Sequence, residues 1–247
     1  MTEPAPGAGP SGRPGAGSRL VGILGGMGPS ATVDFYAKLV RATPAQRDQD
    51  HLRVVMWADP TVPSRQEALL AGGPDPTPWL REGVRQLVEA GAEIVVVPCN
   101  TIHAYLGPVM ADQPMEFLSI VETTVAAIER RGASRVGLLA TDGALASGLF
   151  QSAFEAAGIE WVLPTSPQQE TLTSVVEAVK AGRAGTETRE QMDELLAGLV
   201  QSGVRTVVAG CTEISTLLNL VGPSDSNDIV DPALELALHT IERATRP

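Results

Sequence analysis

The feature that most constrains this chain is a β-branched apolar run that ends directly in a cysteine, because that segment occurs twice. Residues 90–99 (AGAEIVVVPC) resemble residues 202–211 (SGVRTVVAGC), which lie 112 positions further along. A second pair, residues 22–28 (GILGGMG) and 137–143 (GLLATDG), recurs in the same order at a separation of 115. Either match alone is common among α/β segments, but the two together indicate two related lobes.

Short apolar runs alternate with amphipathic segments from residue 20 onward. Strands are predicted at residues 20–24, 52–57, 94–97, 135–140, 159–163 and 206–209. Helices are predicted at residues 30–41, 79–90, 121–131, 145–157, 168–181, 186–201 and 233–243. Such alternation is typical of βαβ units, which build parallel sheets. We therefore predict an α/β protein with two pseudo-symmetric lobes, each a parallel-sheet α/β sandwich, and an active site in the interlobe cleft.

The expected domain boundaries follow from composition and from the repeat. Residues 1–18 contain 12 Pro, Gly or Ala and predict a flexible tail that lacks the apolar core of a signal peptide. We expect residues 19–117 together with 228–247 to form the N-terminal lobe, and residues 118–227 to form the C-terminal lobe. A chain of 247 residues is long enough for two lobes of about 100 residues each.

Charge and composition exclude several classes of partner. The chain has 18 basic and 29 acidic residues, a net charge of −11, and only 4% aromatic residues. A surface of this sign repels phosphate backbones, so we expect no nucleic-acid partner. No apolar run approaches the roughly 20 residues that span a bilayer, so we expect no membrane span. Because no export signal is recognised, we expect a cytoplasmic location. There the two cysteines would remain reduced and would not form a disulfide.

The two cysteines are the main candidates for chemistry. Cys99 and Cys211 each follow a buried strand, at the carboxyl end where open α/β sheets bind their ligands. Polar residues come next, and their donors at a helix N-terminus could hold a carboxylate and lower a thiol pKa. If the lobes face each other, one thiolate can remove a proton from a stereocentre while the opposite thiol delivers one to the other face. That reaction is a racemisation or an epimerisation.

Other interpretations of these motifs stay open at this point. A cysteine after a strand is often a small buried apolar residue. Cys99 and His103 have the spacing of a metal-binding pair, but no second close Cys/His pair follows, and His103 is better explained as a residue that stabilises a helix start or contacts substrate. Residues 26–31 (GMGPSA) fit a dinucleotide fingerprint, yet no acidic residue ends the second strand and no lysine follows to make a phosphate-binding loop.

Five motifs taken together resemble the cofactor-independent aspartate/glutamate racemases, most closely the aspartate racemase and broad-specificity amino-acid racemase branch. They are residues 22–32 (GILGGMGPSAT), 43–45 (TPA), 48–51 (DQDH), 98–103 (PCNTIH) and 210–213 (GCTE). The resemblance extends from about residue 19 to the C-terminus. Glutamate racemases usually have His after the GCT of the last motif, where this chain has Glu213.

The resemblance implies a two-lobed enzyme that uses no cofactor and no metal, binds a small dicarboxylic amino acid and often forms a homodimer. It places the catalytic pair at Cys99 and Cys211. It also implies that Arg65 pairs with one substrate carboxylate and Lys180 with the other, as a bidentate fork and a point charge would do. The remaining substrate-binding positions that it implies are Met27, Asn100, Thr101, Thr141 and Thr212.

Four residues depart from the family pattern. Ser64 stands where many relatives have Asp before the arginine, and Ala58 lies where an Asn is usual. Asp142 and Ala144 change a loop that often has the sequence ATxGT, and Asp142 is expected to alter the charge around the pocket. These differences bear on the substrate more than on the reaction, so aspartate is the first expectation and glutamate the second.

Three alternatives keep the fold but change the function. Decarboxylases similar to arylmalonate decarboxylase retain only one of the two cysteines, whereas this chain has both. Cis–trans isomerases similar to maleate isomerase keep both but lack the GILGGMGP start. A protein that binds a dicarboxylate without converting it would leave two symmetric thiols unexplained.

Overall fold

The computed structural model describes residues 18–221 and 228–246. The predicted tail therefore lies outside the described residues except for Ser18. Within the described part of the chain, no helix is both long and apolar enough to cross a membrane.

The first half of the chain builds a four-stranded parallel sheet. Its strands are β1 (Val21–Gly25), β2 (Val54–Ala58), β3 (Ile94–Val96) and β4 (Glu116–Leu118), in the order β2-β1-β3-β4. The helices between them are α1 (Pro29–Ala42), α2 (Arg65–Leu70), α3 (Thr77–Glu89) and α4 (His103–Met110), and a short 3-10 turn spans Asp48–Asp50.

The second half repeats this arrangement. Helix α5 (Ile120–Arg130) leads into strands β5 (Arg135–Leu139), β6 (Glu160–Val162), β7 (Thr206–Ala209) and β8 (Asp228–Val230), in the order β6-β5-β7-β8. Its other helices are α6 (Asp142–Ala146), α7 (Leu149–Ala156), α8 (Ser166–Lys180), α9 (Thr186–Gln201), α10 (Thr212–Val221) and α11 (Pro232–Thr245). Two parallel sheets with the same strand order confirm the predicted α/β class with two lobes.

The repeat also extends to side-chain packing. A Cβ atom on Gly22 would lie 2.9 Å from Cβ of Ala92, which precedes β3. A Cβ atom on Gly137 would lie 3.3 Å from Cγ1 of Val204, which precedes β7. Ala92 and Val204 are equivalent in the sequence repeat, so each central strand uses a glycine to admit the same neighbouring segment.

Three clusters of buried apolar side chains hold the molecule together. One cluster contains residues of both sheets and of helices α1, α5, α7 and α11, including Phe35, Ile128, Phe154 and Leu236. The other two belong to one lobe each, and they contain Cys99 and Cys211 respectively. The two lobes therefore share a core on one side, while each thiol is held in the core of its own lobe.

The structure differs from the predicted boundaries in a few places. Residues 228–230 were expected in the N-terminal lobe, but β8 pairs with β7 of the second sheet, while α11 packs against α1 and α5. The predicted helix at 145–157 is two helices, α6 and α7, because Gly148 has a φ of +66° between them. Strands β4 and β8 and helices α2, α4 and α10 were not predicted.

Candidate active site

Both cysteines open onto one cleft between the lobes. Cys99 follows β3 and is 6% exposed, and Cys211 follows β7 and is 7% exposed. The cleft is narrow, with a cavity volume of about 60 Å³. Its lining residues are Met27, Ser64, Arg65, Gln66, Cys99, Asn100, Thr101, Thr141, Lys180, Cys211, Thr212 and Glu213. All nine residues predicted for the site are among them.

A buried histidine holds the turn that carries Cys99. Nδ1 of His103 lies 2.8 Å from the carbonyl oxygen of Cys99, and Nε2 accepts a hydrogen bond of 3.2 Å from the backbone N–H of Ile120. Because Nε2 is an acceptor, the ring proton lies on Nδ1 and is donated to the carbonyl. Burial lowers the pKa of His103 to about 4, so the ring is neutral at pH 7.

His103 thus joins the end of β3 to the start of α5 and supports the turn, one of the two roles predicted for it. Both ring nitrogens are occupied by backbone groups. Across residues 18–221 and 228–246, no three His, Cys, Asp or Glu side chains group together in a way that could hold a metal ion.

The Cys99 thiol lies in a mixed environment. Burial raises its pKa above the usual value. The positive charge of Arg65 opposes this shift most strongly, followed by a hydrogen bond from the backbone of Ile102. The Glu213 carboxylate raises the pKa further, and Lys180 lowers it by a smaller amount. The cations around this thiol favour its ionised form.

The Cys211 thiol has a different neighbour. Its Sγ donates a hydrogen bond of 2.8 Å to Oε2 of Glu213, and the Thr212 hydroxyl donates to the same oxygen at 3.2 Å. Burial and the adjacent Glu213 carboxylate raise the pKa of Cys211 well above its usual value, against a weaker effect of Lys180. This thiol is therefore held protonated.

Two cations reach the cleft without a carboxylate partner. Arg65 begins α2, whose start is capped by the Ser64 hydroxyl, and its guanidinium makes only long bonds of 3.3 Å to the carbonyl oxygens of Pro63 and Met27. Lys180 ends α8 and is exposed. Neither forms an ion pair with any residue that the structure describes. Both can therefore pair with an anionic ligand, and Arg65 can do so through a bidentate fork.

Polar side chains with free hydrogen-bonding capacity complete the cleft. Asn100 is 3% exposed, yet neither its Oδ1 nor its Nδ2 has a partner among the described residues. Buried amides are almost always satisfied, so these atoms are available for a ligand. The Thr141 hydroxyl accepts from the N–H of Ala144 at 3.3 Å and keeps its own proton free to donate.

Three lining residues were not predicted as site residues. Glu213 had been noted as one of the polar residues that follow Cys211 and as a contrast with glutamate racemases, Ser64 only as a departure from the family pattern, and Gln66 carried no signal. Gln66 lies where the lobes meet, since a Cβ atom on Gly143 of α6 would be 3.3 Å from its Cα.

Asp142, which was expected to alter the charge around the pocket, is not among the residues that line the cleft. Its carboxylate accepts a 2.9 Å hydrogen bond from Nε2 of Gln169 on α8, with Thr173 as a more distant donor at 3.5 Å.

The matched sheets and the cleft between them define a two-lobed α/β protein in which each lobe supplies one buried thiol. The sequence matches the family profile described as Asp/Glu/Hydantoin racemase over residues 24–240. This chain belongs to that family, which confirms the resemblance inferred from its motifs.

Similar proteins include members that match over nearly their whole length. The broad specificity amino-acid racemase RacX of Bacillus subtilis (strain 168) is 24% identical over 230 residues, which are 90% of this chain and 96% of that protein. The solved structure of the Picrophilus torridus aspartate racemase is 28% identical, with a TM-score of 0.81 over 92% of this chain and 94% of that one. A glutamate racemase of Pseudomonas aeruginosa (strain UCBPP-PA14) is 34% identical, but the match spans 51% of this chain and 47% of that protein.

Proposed function

We propose that this chain is an amino-acid racemase that works without pyridoxal phosphate and exchanges the α-proton between Cys99 and Cys211. The observation that carries the proposal is the pair of buried thiols, one from each lobe, that open onto one cleft. Two cations without a carboxylate partner among the described residues, Arg65 and Lys180, line the same cleft. Membership in the Asp/Glu/Hydantoin racemase family supports the same reaction.

The residues of the cleft divide into those that bind the substrate and those that transfer its proton. Arg65 binds the α-carboxylate and Lys180 the side-chain carboxylate, while Asn100 fills its free hydrogen-bonding capacity with the substrate. The thiolate of one cysteine takes the proton as the Cα–H bond breaks. The S–H bond of the other cysteine breaks as its proton forms a new Cα–H bond on the opposite face. The product is the other enantiomer, and the protonation states of the two thiols have exchanged.

The preferred substrate in this proposal is aspartate, with glutamate second. Two cations in a small cleft suit an amino acid with two carboxylates. The broad-specificity racemase and the aspartate racemase named above match over more than nine tenths of their own length. The sequence match to the Pseudomonas aeruginosa glutamate racemase covers about half of that protein, and solved glutamate racemases share the fold at lower identity. The Ser64 hydroxyl caps α2 without adding a charge beside Arg65.

An α-proton exchange assay in D₂O tests the function. With L- or D-aspartate, the wild type is expected to form the other enantiomer and to incorporate solvent deuterium at Cα. Cys99→Ala and Cys211→Ala should each lower racemisation by at least about 100-fold, because each removes one of two required proton-transfer groups. Full activity in either variant would refute the two-base mechanism.

Product analysis and calorimetry distinguish the alternatives. Loss of carbon dioxide would indicate a decarboxylase, and a geometric isomer formed from an unsaturated diacid would indicate a cis–trans isomerase. Calorimetric binding of aspartate without α-proton exchange would indicate a binding protein.

We also propose a homodimer that works in the cytoplasm, where its thiols would stay reduced. Helices α1 and α11 pack side by side and leave large apolar side chains exposed on their outer faces: Val33, Tyr36, Val40, Leu234 and Leu238. An apolar surface of this kind is a candidate for burial against a second copy.

Light scattering of the wild type should give twice the chain mass, and Tyr36→Glu with Leu238→Glu should give a monomer. A monomeric wild type would refute the dimer.

A further inference from the structure

The two cysteine turns are equivalent in the repeat but differ in charge two residues after the thiol. In the first lobe that position is Thr101, and in the second it is Glu213. Among the residues that the structure describes, the second thiol alone contacts a carboxylate, at 2.8 Å between Sγ of Cys211 and Oε2 of Glu213. The Thr212 hydroxyl holds the same carboxylate oxygen at 3.2 Å, which aims it at the thiol.

The charged groups around the two thiols reinforce this difference. Arg65 is the charged group that acts most strongly on Cys99, followed by Glu213 in the opposite sense and then by Lys180, so two cations and one carboxylate surround this thiol. Glu213 and Lys180 act on Cys211, and the carboxylate is the group in direct contact. The neutral His103 adds no charge to either.

Building on the proposed racemase function, we propose that Glu213 is a catalytic residue that keeps the proton on Cys211 in the free enzyme and restores it after turnover. Cys99, which has no such contact, is then the thiol that ionises more readily and removes the first proton in one direction of the reaction, and Cys211 is the thiol that delivers the second. The assignment stands on the contact between the Cys211 sulfur, which is a reacting atom, and a carboxylate that the first lobe lacks.

Each turnover leaves the proton on Cys99, so it must be restored to Cys211. After one turnover Cys99 is a thiol, and the Cys211 thiolate lies against the Glu213 carboxylate, which places two anions in contact. Glu213 is half-buried, so it can take a proton from water and pass it to Sγ of Cys211, regenerating the carboxylate and the thiol. The Cys99 thiol gives its proton to water. No oxidant or cofactor is needed, and the net proton count of the enzyme is unchanged.

This asymmetry cannot be detected as a preference for one enantiomer in kcat/KM. The L and D forms have equal free energy in water, so the two kcat/KM values must be equal at every pH. The difference between the thiols must instead appear in their separate ionisation, which determines the two limbs of the pH profile.

The most direct test measures the ionisation of Cys211 without relying on activity. The chain has two cysteines, so Cys99→Ala leaves Cys211 as the only thiol, and its thiolate can be followed by ultraviolet absorbance against pH. Adding Glu213→Gln should lower the midpoint by about 1 pH unit or more, since a contacting negative charge is removed. Glu177→Gln in the same background, an exposed acid on α8, should leave the midpoint unchanged. An unshifted midpoint in folded Glu213→Gln protein would overturn the proposal.

A second test uses the complete catalytic pair. In Glu213→Gln, the high-pH limb of kcat/KM should move to lower pH by more than the low-pH limb does, while Glu213→Asp should keep part of the wild-type profile. Equal movement of both limbs, or none, would overturn the assignment. Because the absorbance titration does not require turnover, failure of the racemase function and failure of the Glu213 assignment give different results.

Discussion

The two lobes have the same fold around their cysteines, but they stabilise the two turns by different means. In the first lobe, His103 donates a hydrogen bond to the Cys99 carbonyl, and the charged group that acts most strongly on the Cys99 thiol is the Arg65 guanidinium. In the second, the residue equivalent to His103 is Ser215, whose buried hydroxyl has no partner among the described residues, and Glu213 contacts the thiol itself.

This difference has a clear chemical meaning. A two-base racemase needs one thiolate and one thiol at the same moment, so two identical thiols would spend part of their time both protonated or both ionised. A duplicated fold supplies two thiols on opposite sides of a cleft, and local substitutions then separate their proton affinities. The symmetric backbone thus places the two thiols on opposite sides of the cleft, and the different charges near them give them different proton affinities.

The largest expected effect comes from removing the two cations of the cleft, one from each lobe. Arg65 is half-buried beside Cys99, whereas Lys180 is exposed at the end of α8. Arg65→Ala should lower kcat/KM for aspartate by about 10³-fold, because it removes two charge-assisted hydrogen bonds to the substrate carboxylate. Lys180→Ala should lower it by about 10-fold, since an exposed point charge is screened by solvent. Steady-state kinetics by chiral chromatography measures both.

Alanine as substrate is the matched control for this pair. It has an α-carboxylate but no second carboxylate, so Lys180→Ala should leave the slow exchange of its α-proton almost unchanged, while Arg65→Ala should still abolish it. If the two variants changed the exchange of alanine equally, the assignment of one carboxylate to each cation would be wrong.

The second test compares His103 with Ser215 and measures stability. His103→Ala should lower the free energy of unfolding by about 3 kcal/mol, because it leaves the N–H of Ile120 and the carbonyl of Cys99 unsatisfied in the interior. Ser215→Ala should be neutral, or stabilising by up to about 1 kcal/mol, because it removes a buried hydroxyl that has no partner in the described part of the chain. Urea unfolding at pH 7 gives both values.

The contribution of His103 to the free energy of unfolding can be measured from its pH dependence. Its pKa is about 4 in the folded protein and near 6.5 when exposed, so the unfolded chain binds the proton more strongly. Stability should therefore fall as the pH drops from about 6.5 to about 4, by about 3 kcal/mol from this group, and its contribution should not change further below that. His103→Ala should show a shallower loss over this window. An equal slope in the variant and the wild type would mean that other groups cause the loss.

Much of the fold was predictable because its signals are local. The run at β3 (IVV) is β-branched and apolar throughout and the run at β7 (TVVA) is nearly so, as is typical of strands buried on both faces. The elements that were missed have weak local signals: β4 and β8 are three residues long and begin with Glu116 and Asp228, and α4 contains Pro108. Their formation depends on pairing with a neighbouring strand or on packing, which a local pattern does not contain.

The site was predictable to the extent that it lies in motifs. The cysteines end the repeated segments and the polar residues directly follow them, while motif resemblance pointed to Arg65 and Lys180. The role of Glu213 was not predictable, because a distance of 2.8 Å to Sγ depends on the turn geometry and side-chain rotamers. Gln66 enters the cleft through the contact of α2 with α6, which joins segments far apart in sequence.

The smallest expected effect is the difference in stability between alanine variants of the two glycines, Gly22 and Gly137, in the central strands of the sheets. An added methyl group on Gly22 would lie 2.9 Å from Cβ of Ala92, an atom fixed to the backbone, while on Gly137 it would lie 2.9 Å from Cδ1 of Leu199, which a rotamer change can move. Gly22→Ala should therefore destabilise the protein by about 2 kcal/mol and Gly137→Ala by about 1 kcal/mol or less. Thermal unfolding of the two variants measures the difference. Equal losses would mean that the second lobe is packed as rigidly as the first, and the contrast between the lobes would then be confined to the chemistry of their thiols.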